Sequence, residues 1–398
     1  MRHDSCVYFH LNSSSEINAL LSLHVDDALA TGDETVLETL HNRMESTFGA
    51  VTSAKDDFTH YGVHVHRCVS TGHVFASQKK YVDELKPLEI PKGKGDTTAS
   101  PALVTQFRSL VSAIAWAGVT SPTAQAGASL YQSCLPLPTY EQCRHLNVFL
   151  QQVKNEYQPL VFRSDLNWKK LKLLTVSDSS LGNVSKYYQG GFFVLLCEAS
   201  DGARLCGRCI ILSFKGSKSK RVASSTLHAE CLALVSATEE AAFLQSWLLE
   251  LSCPTLKTFE LIQVPPTLHI GIVAVIDCKD LLDVLLRAAI TAVTNKALIL
   301  YFAALRELKE TLRVEQWVWT DTRDNVSNSF TKINADGSLP AEPVEHLLKH
   351  GAWEPQFPFL WGHQHVDPTT FDFVAFPPVP ETPTAFPTFG TCFEDFES

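Results

Sequence analysis

The 398-residue chain has no long apolar run: nowhere do the roughly 18 consecutive apolar residues of a membrane-spanning helix occur. Its first residues, MRHDSCVYFHLNSSSEINALL, hold no uninterrupted apolar centre of a secretion signal. An unsecreted, intracellular protein of the cytoplasm or nucleus, without membrane contact, is expected. The 11 cysteines follow no framework spacing, so reduced thiols are expected rather than a disulfide scaffold. Cys206 and Cys209 read as incidental cysteines leading into a strand, with half of a zinc site as the other reading. No second pair stands at a fitting distance.

Basic charge is also scarce. With 33 Lys and Arg against 43 Asp and Glu, the net charge is -10, which excludes avid nucleic-acid binding by diffuse charge. Any such contact must be local. The densest basic stretch is FKGSKSKR, with Lys215, Lys218, Lys220 and Arg221, and a solvated loop suits it equally well. What the chain does have is 45% hydrophobic and 19% charged residues, the balance of a globular protein long enough for two or three cores.

Along the chain, INALLSLHV alternates like a strand and ends in Asp26-Asp27, which reads as a turn. FTHYGVHVHRC and HVFASQ read as further extended stretches, KKYVDELKPL as a helix, and EIPKGKGDTTASP as a linker. From Phe107 to about Val153 the pattern is helical, broken at Ser121-Pro122. KLLTVSD is strand-like, and YQGGFFVLLCEASDGARLCGRCIILSF reads as two strands joined across Asp201-Gly202. A long helix is expected from about Ser225 to Leu251, with Ser224 or Ser225 as its cap. IGIVAVID is apolar enough for a strand buried on both faces. Helices at 279–290 and 295–312, the strand RVEQWVW and a helical turn around DNVSNSFTK follow. The order is that of an α/β domain with a mixed sheet. These patterns divide the chain at 1–98, 99–165 and 166–335, with a Pro- and Phe-rich tail at 336–398 expected to be disordered.

Three acids end up where strands or helices present them to one sheet edge. Asp178 closes the first strand of the third part and Asp277 closes the buried strand. Glu230 flanks the apolar stripe of Leu227, Cys231, Leu234 and Val235 on the long helix. Carboxylates converging from three elements repel one another unless cations neutralise them, the arrangement that Mg²⁺-dependent phosphodiester hydrolysis uses. Ordinary loop-edge and cap residues are the alternative, and spacing alone does not separate the two. A zinc hydrolase built on His60, His64 and His66 is a third reading, weaker because the segment reads as a strand.

Taken in order, several blocks are similar to one family. DSCVYFHLNSSSEINALLSLHVDDALATGD resembles the D-P-C-V-F stretch and the L-L-L-Y-V-D-D-x-L-x-x-G hairpin of copia-type LTR retrotransposon Pol polyproteins. HYGVHVHRCVSTGHVFASQKKYVDEL resembles their FLGIEI strand and L-S-Q-x-K-Y-x-x-x-L-L segment, and FRSLVSAIAWAGVTSP the helices of the connection. TVSDSSLGN, LSFKGSKSKRVASSTLHAECLAL and DNVSNSFTK resemble, in turn, Y-S-D-A-D-W-A-G, I-S-W-x-S-K-K-Q-x-x-V-A-L-S-S-T-E-A-E-Y-x-A-L and D-N-L-A-D-I-L-T-K. The similarity runs over roughly residues 4–332 and keeps the order of every block.

The resemblance implies a partial reverse transcriptase palm (1–98), a helical connection (99–165) and an RNase H-like domain with a five-stranded mixed sheet (166–335). It places Asp26 and Asp27 on the polymerase's metal-binding pair, with His24 where the family has Tyr and the third acid outside this chain. It places Asp178, Glu230 and Asp277 on the first three RNase H acids, as Mg²⁺ ligands in a two-metal site acting on RNA–DNA hybrids. The fourth acid falls on Ser327-Asn328, and a neutral amide neither binds Mg²⁺ as a carboxylate does nor acts as a base. Asp324, about one helical turn earlier, is the candidate substitute, and restoring an acid at Asn328 is expected to raise cleavage. These departures imply a truncated or degenerate copy of impaired activity. The alternative is a non-catalytic RNase H-like module that binds nucleic acid or protein, with a groove lined by Lys215 to Arg221 and by Lys169, Lys170 and Lys172.

Overall fold

The structure, a computed structural model, describes residues 4–92, 95–181, 188–198, 207–219, 223–256, 269–287, 296–311, 313–340 and 342–366. Strands β1 (Val7–Leu11), β2 (Ile17–His24) and β3 (Asp27–Gly32) form an antiparallel sheet in that order, followed by helix α1 (Glu34–Phe48). Pairing of His24 with Asp27 leaves Val25 and Asp26 as the two turn residues, so the acidic pair does sit at a hairpin turn. Val25 takes a left-handed φ of 55°, unfavourable for a β-branched side chain. This part has little core of its own: α1 buries no residue.

FTHYGVHVHRC is two strands rather than one. β4 (Asp57–His60) turns at Tyr61-Gly62 into β5 (Val63–Arg67). Both turn residues have positive φ, 49° and 71°, the requirement of the tight hairpin turn whose twist matches the strands. β6 (Val74–Ser77) continues this sheet, and β7 (Leu160–Phe162), which comes after the connecting helices, closes it in the order β4-β5-β6-β7. Helix α2 (Lys79–Glu84) follows β6.

The connecting helices are α3 (Pro101–Ala117), α4 (Pro122–Gln132) and α5 (Tyr140–Glu156). Their starts are written locally. Ser100 and Ser121 cap the first two ahead of a proline, and Thr139 with Gln142 forms a capping box on the third.

The largest sheet begins with β8 (Leu171–Leu181), β9 (Tyr188–Glu198) and β10 (Cys209–Lys218). Helix α6 (Thr226–Ser252), β11 (Ile272–Ile276), helices α7 (Lys279–Leu286) and α8 (Lys296–Glu310) and β12 (Val314–Trp319) follow. The strand order is β10-β9-β8-β11-β12: β8 to β10 are antiparallel, and β11 and β12 run parallel to β8. That order, with α6 packed on β8 and β9, makes this an RNase H-like mixed α/β fold.

Alternation along the strands divides the burial. Leu174, Val176, Phe193, Leu195, Val273 and Val275 join the core formed with α3, α4 and α5, while Leu173, Phe192, Val194, Ile272 and Ala274 join the core beneath α6, α7 and α8. Strands covered on both faces read as apolar runs, which is why this region was the most legible. It also means that the connecting helices share one core with the sheet rather than forming a separate packing unit.

The fold continues past residue 335, where the sequence reads as a tail. Helix α9 (Glu342–His350) buries Val344 and Leu347 in the core shared with α3 to α5, together with Leu339, Trp353 and Phe359. β13 (Phe359–Trp361) and β14 (Gln364–Val366) extend the sheet antiparallel beyond β12, so the expected five strands become seven. The Pro- and Phe-rich composition conceals these spaced anchors. Residues 367–398, including FGTCFEDFES, lie outside the described residues. Among the described residues no helix is long and apolar enough to cross a membrane.

Candidate metal centre

Two adjacent parallel strands bring the first two acids together. β11 pairs with β8 in a register that sets Val275 against Val176. Two residues further on along both chains, Asp277 comes level with Asp178, and α6 delivers Glu230 to the same edge. The three carboxyl groups converge: each offers one oxygen, and these oxygens all lie within 4.8 Å of one another. Asp178 is 2% and Glu230 5% exposed, and Glu230 Oε2 has no hydrogen-bond partner.

Burial and mutual repulsion set the electrostatics. Burial above all, then the Asp277 carboxylate, pushes Asp178 up to about 7, with Lys332 and Thr331 opposing the rise. Glu230 is pushed up to about 9 by burial and then by Asp178 and Asp277. Two buried carboxyl groups beside a third acid favour protonation of Asp178 and Glu230 in the absence of a cation. A buried carboxylate oxygen without a donor is costly to leave unsatisfied. A hard divalent cation such as Mg²⁺ satisfies both demands, since it takes carboxylate oxygens as ligands.

The segment opposite the acids consists of two 3₁₀ turns, Thr322–Asp324 and Val326–Phe330, where the sequence reads as a single helical turn. Phe330, fully buried, fastens it to the sheet: a Cβ at Gly191 would fall 2.1 Å from the Phe330 Cβ, and one at Gly216 2.7 Å from its ring. The glycines of YQGGFF and FKGSK are therefore the seat of this side chain. Ser327 Oγ donates to the Val176 carbonyl at 2.7 Å, and Asn325 Nδ2 to the Ser177 carbonyl at 3.1 Å. Anchored in this way, the segment turns Thr331 and Lys332 toward the site. Thr331 Oγ1 donates to Asp178 Oδ2, and Lys332 Nζ stands 3.9 Å from the same oxygen. Thr322 Oγ1 donates to Asp277 Oδ2 at 2.9 Å.

Asn328 lies beside this centre as a clasp. Its amide Nδ2 donates to the Thr322 carbonyl, and its Oδ1 accepts from Lys332 Nζ. Asp324 does not substitute for it. Asn325 breaks the helical repeat between the two 3₁₀ turns, and the Asp324 carboxylate accepts from the backbone N–H groups of Gln356 at 3.0 Å and Phe357 at 2.9 Å. No local sequence signal marks that role, because the partners lie more than thirty residues away in the segment read as a tail.

Among the described residues the remaining candidates do not form a second centre. Asp26 and Asp27 are exposed, and among the described residues Asp178, Glu230 and Asp277 are the one group of three placed to share an ion. His64 and His66 both pair with Asp57, at 2.8 and 3.1 Å, whereas His60 sits on the neighbouring strand with its ring against Tyr61. The Tyr61-Gly62 turn thus separates the three histidines of the zinc reading. Cys209 is buried and in no disulfide, and Cys206 lies outside the described residues.

The basic groove is smaller than expected. Lys172 is buried and ion-paired with Glu315 at 2.7 Å, six residues and roughly 20 Å along β8 from Asp178. Lys170 is still further along. Lys215 and Lys218 are exposed at the Asp178 end of β10, two strands away. Lys220, Arg221 and the side chain of Lys169 lie outside the described residues.

No protein-family model matches the chain, and no curated protein matches it significantly. Among solved structures it is similar to the N-terminal RNase H domain of a Mycobacterium tuberculosis protein, studied as a fusion with maltose-binding protein. The identity is 13% and the TM-score 0.26, over 40% of this chain and 91% of that one. The RNase H-like class is therefore defined by strand order.

Proposed function

We propose that the chain is a retroelement-derived fragment, a partial reverse transcriptase palm and connection joined to an RNase H-like domain. Its remaining activity is slow, Mg²⁺-dependent cleavage of the RNA strand of an RNA–DNA hybrid. The observation that carries this reading is the convergence of Asp178, Glu230 and Asp277, with Glu230 Oε2 buried and unpartnered. The ordered similarity of residues 4–332 to copia-type polyproteins supports the ancestry. Bound Mg²⁺ would activate water and stabilise the leaving oxygen. Asp178, Glu230 and Asp277 would hold the ion, and Thr331 and Thr322 keep two of the acids aimed. Exposed Lys215 and Lys218 at the same end of the sheet suit a nucleic-acid backbone.

Asn328 contributes no charge where the family has an acid, which accounts for slow cleavage. Asp26 and Asp27 have no third acid beside them among the described residues, and no polymerase activity is assigned to the pair. The test is cleavage of a labelled hybrid in Mg²⁺. Weak cleavage is expected, falling to background in Asp178→Asn and Asp277→Asn. Vigorous cleavage that survives Asp178→Asn would overturn the catalytic assignment. Metal binding without any cleavage would establish instead a non-catalytic module.

A further inference from the structure

The two strands that seat Phe330 at one end carry a pair of cysteines at the other. In the β9–β10 ladder Cys197 stands directly opposite Cys209. Both are buried, at 4% and 2% exposure, and neither is in a disulfide. They belong to the core that holds Val176, Leu195 and Leu347, while Leu196 and Ile210 beside them join the opposite core, so both thiols leave the sheet on one side. The backbone fixes how close they come. The Cys209 N–H donates to the Gly351 carbonyl at 2.7 Å, away from β9, and the next pair along is bonded through the Glu198 N–H and the Arg208 carbonyl at 2.9 Å. Cys197 and Cys209 therefore form a non-hydrogen-bonded pair, whose Cα atoms lie about 4.5 Å apart. A disulfide spans Cα separations of about 4.4–6.8 Å.

A small oxidant has a way in. Cys209 lines a pocket together with Leu160, Ile211, Leu347, Leu348 and Gly351. Its volume is about 20 Å³, above the roughly 10–15 Å³ that one water needs, and hydrogen peroxide is little larger than water. Apolar walls disfavour the thiolate, so the reaction there is slow.

We propose that Cys197 and Cys209 are an oxidation site, a dithiol that a hydroperoxide converts into a cross-strand disulfide. The Cys209 sulfur, having released its proton, attacks one peroxide oxygen. The O–O bond breaks and the departing hydroxide takes up that proton as water, leaving Cys209 as a sulfenic acid. The Cys197 sulfur then attacks the Cys209 sulfur, the S–O bond breaks, and hydroxide leaves with the Cys197 proton as a second water. Two thiols and one peroxide thus give one disulfide and two waters, with the sulfurs oxidised and the peroxide oxygens reduced. A dithiol reductant reverses the step by exchange. The site is independent of the three acids and of whether they hold a metal.

Trypsin separates the cysteines concerned. Cleavage after Lys186, Arg204, Arg208 and Lys215 puts Cys197, Cys206 and Cys209 in three different peptides, 187–204, 205–208 and 209–215. The experiment treats the reduced full chain with hydrogen peroxide under native conditions, alkylates it with iodoacetamide in urea, and reads the tryptic peptides by mass spectrometry. The expected product is peptide 187–204 joined to 209–215, lost on dithiothreitol and formed equally in Cys206→Ser. Oxidation of chain already unfolded in urea should reduce that product severalfold, because strand register no longer opposes the two thiols. Cys206 joined to either peptide in its place would overturn the proposal. So would Cys209 recovered as sulfinic acid with Cys197 alkylated, or both recovered alkylated while the exposed Cys6 is oxidised.

Discussion

Glu230→Gln tests the electrostatics of the acid cluster without requiring catalysis. Burial and the neighbouring Asp178 and Asp277 raise the Glu230 pKa from 4.5 to about 9. A carboxyl group whose folded pKa is raised contributes stability below its unfolded value and loses it as the pH rises toward the folded one. In metal-free protein this group should therefore remove stability continuously between about pH 5 and pH 8. Three pH units at about 1.4 kcal/mol each amount to roughly 4 kcal/mol. Glutamine has no such proton equilibrium, although its amide is left in the same poorly partnered place at about 1–2 kcal/mol. The variant should thus match or fall slightly below wild type at pH 5 and exceed it by about 2–3 kcal/mol at pH 8. Urea denaturation in chelator, at both pH values, measures this. Burial lowers the His228 pKa, and that effect, present in both proteins, cancels in the difference. Saturating Mg²⁺ should reverse the order at pH 8, since an ion bound only by the folded wild type stabilises it. A difference between the two proteins that stays constant within about 1 kcal/mol from pH 5 to pH 8 would refute the reasoning.

Two further predictions concern the frame around the site. Phe330→Ala empties the buried seat on Gly191 and Gly216 and should destabilise by about 3–5 kcal/mol, with weaker Mn²⁺ binding because Thr331 and Lys332 lose their placement. Unchanged stability by urea titration would count against that anchor. Asp324→Ala leaves the Gln356 and Phe357 N–H groups without their acceptor and should cost about 1–3 kcal/mol. Hydrogen exchange should speed up at residues 353–357 while the number of Mn²⁺ ions bound stays the same. A loss of metal binding in that variant would return Asp324 to the site.

The sequence was most legible where one physical constraint dominates. IVAVID is apolar because β11 is covered on both faces, and Asp277 follows it because the chain there leaves the core for the sheet edge. Ser225 announces α6 by capping it, and the stripe of Cys231 and Leu234 on that helix predicts the face that delivers Glu230. Legibility failed where partners are remote. Lys172 looks like a surface lysine beside Lys169 and Lys170, but Glu315, 143 residues away, takes it into the structure. Helix α1 buries no residue, so no core contact fixes its apolar positions. FTHYGVHVHRC reads as one extended stretch, but a two-residue reversal at Tyr61-Gly62 puts His60 on a different strand from His64 and His66.

The same remoteness explains why the site cannot be judged from its acids alone. Asp178 and Asp277 are set by strand register, which two neighbouring strands fix between them. The opposite wall is set by residues from four places: Gly191 and Gly216 receive Phe330, Gln356 and Phe357 hold Asp324, and Trp353 Nε1 donates to the Asp324 carbonyl at 3.0 Å. The segment after residue 335 thus braces the turn that carries Asn328 and Lys332. Lys332 Nζ, 3.9 Å from Asp178 Oδ2, owes its position to that brace as much as to the Asn328 amide oxygen.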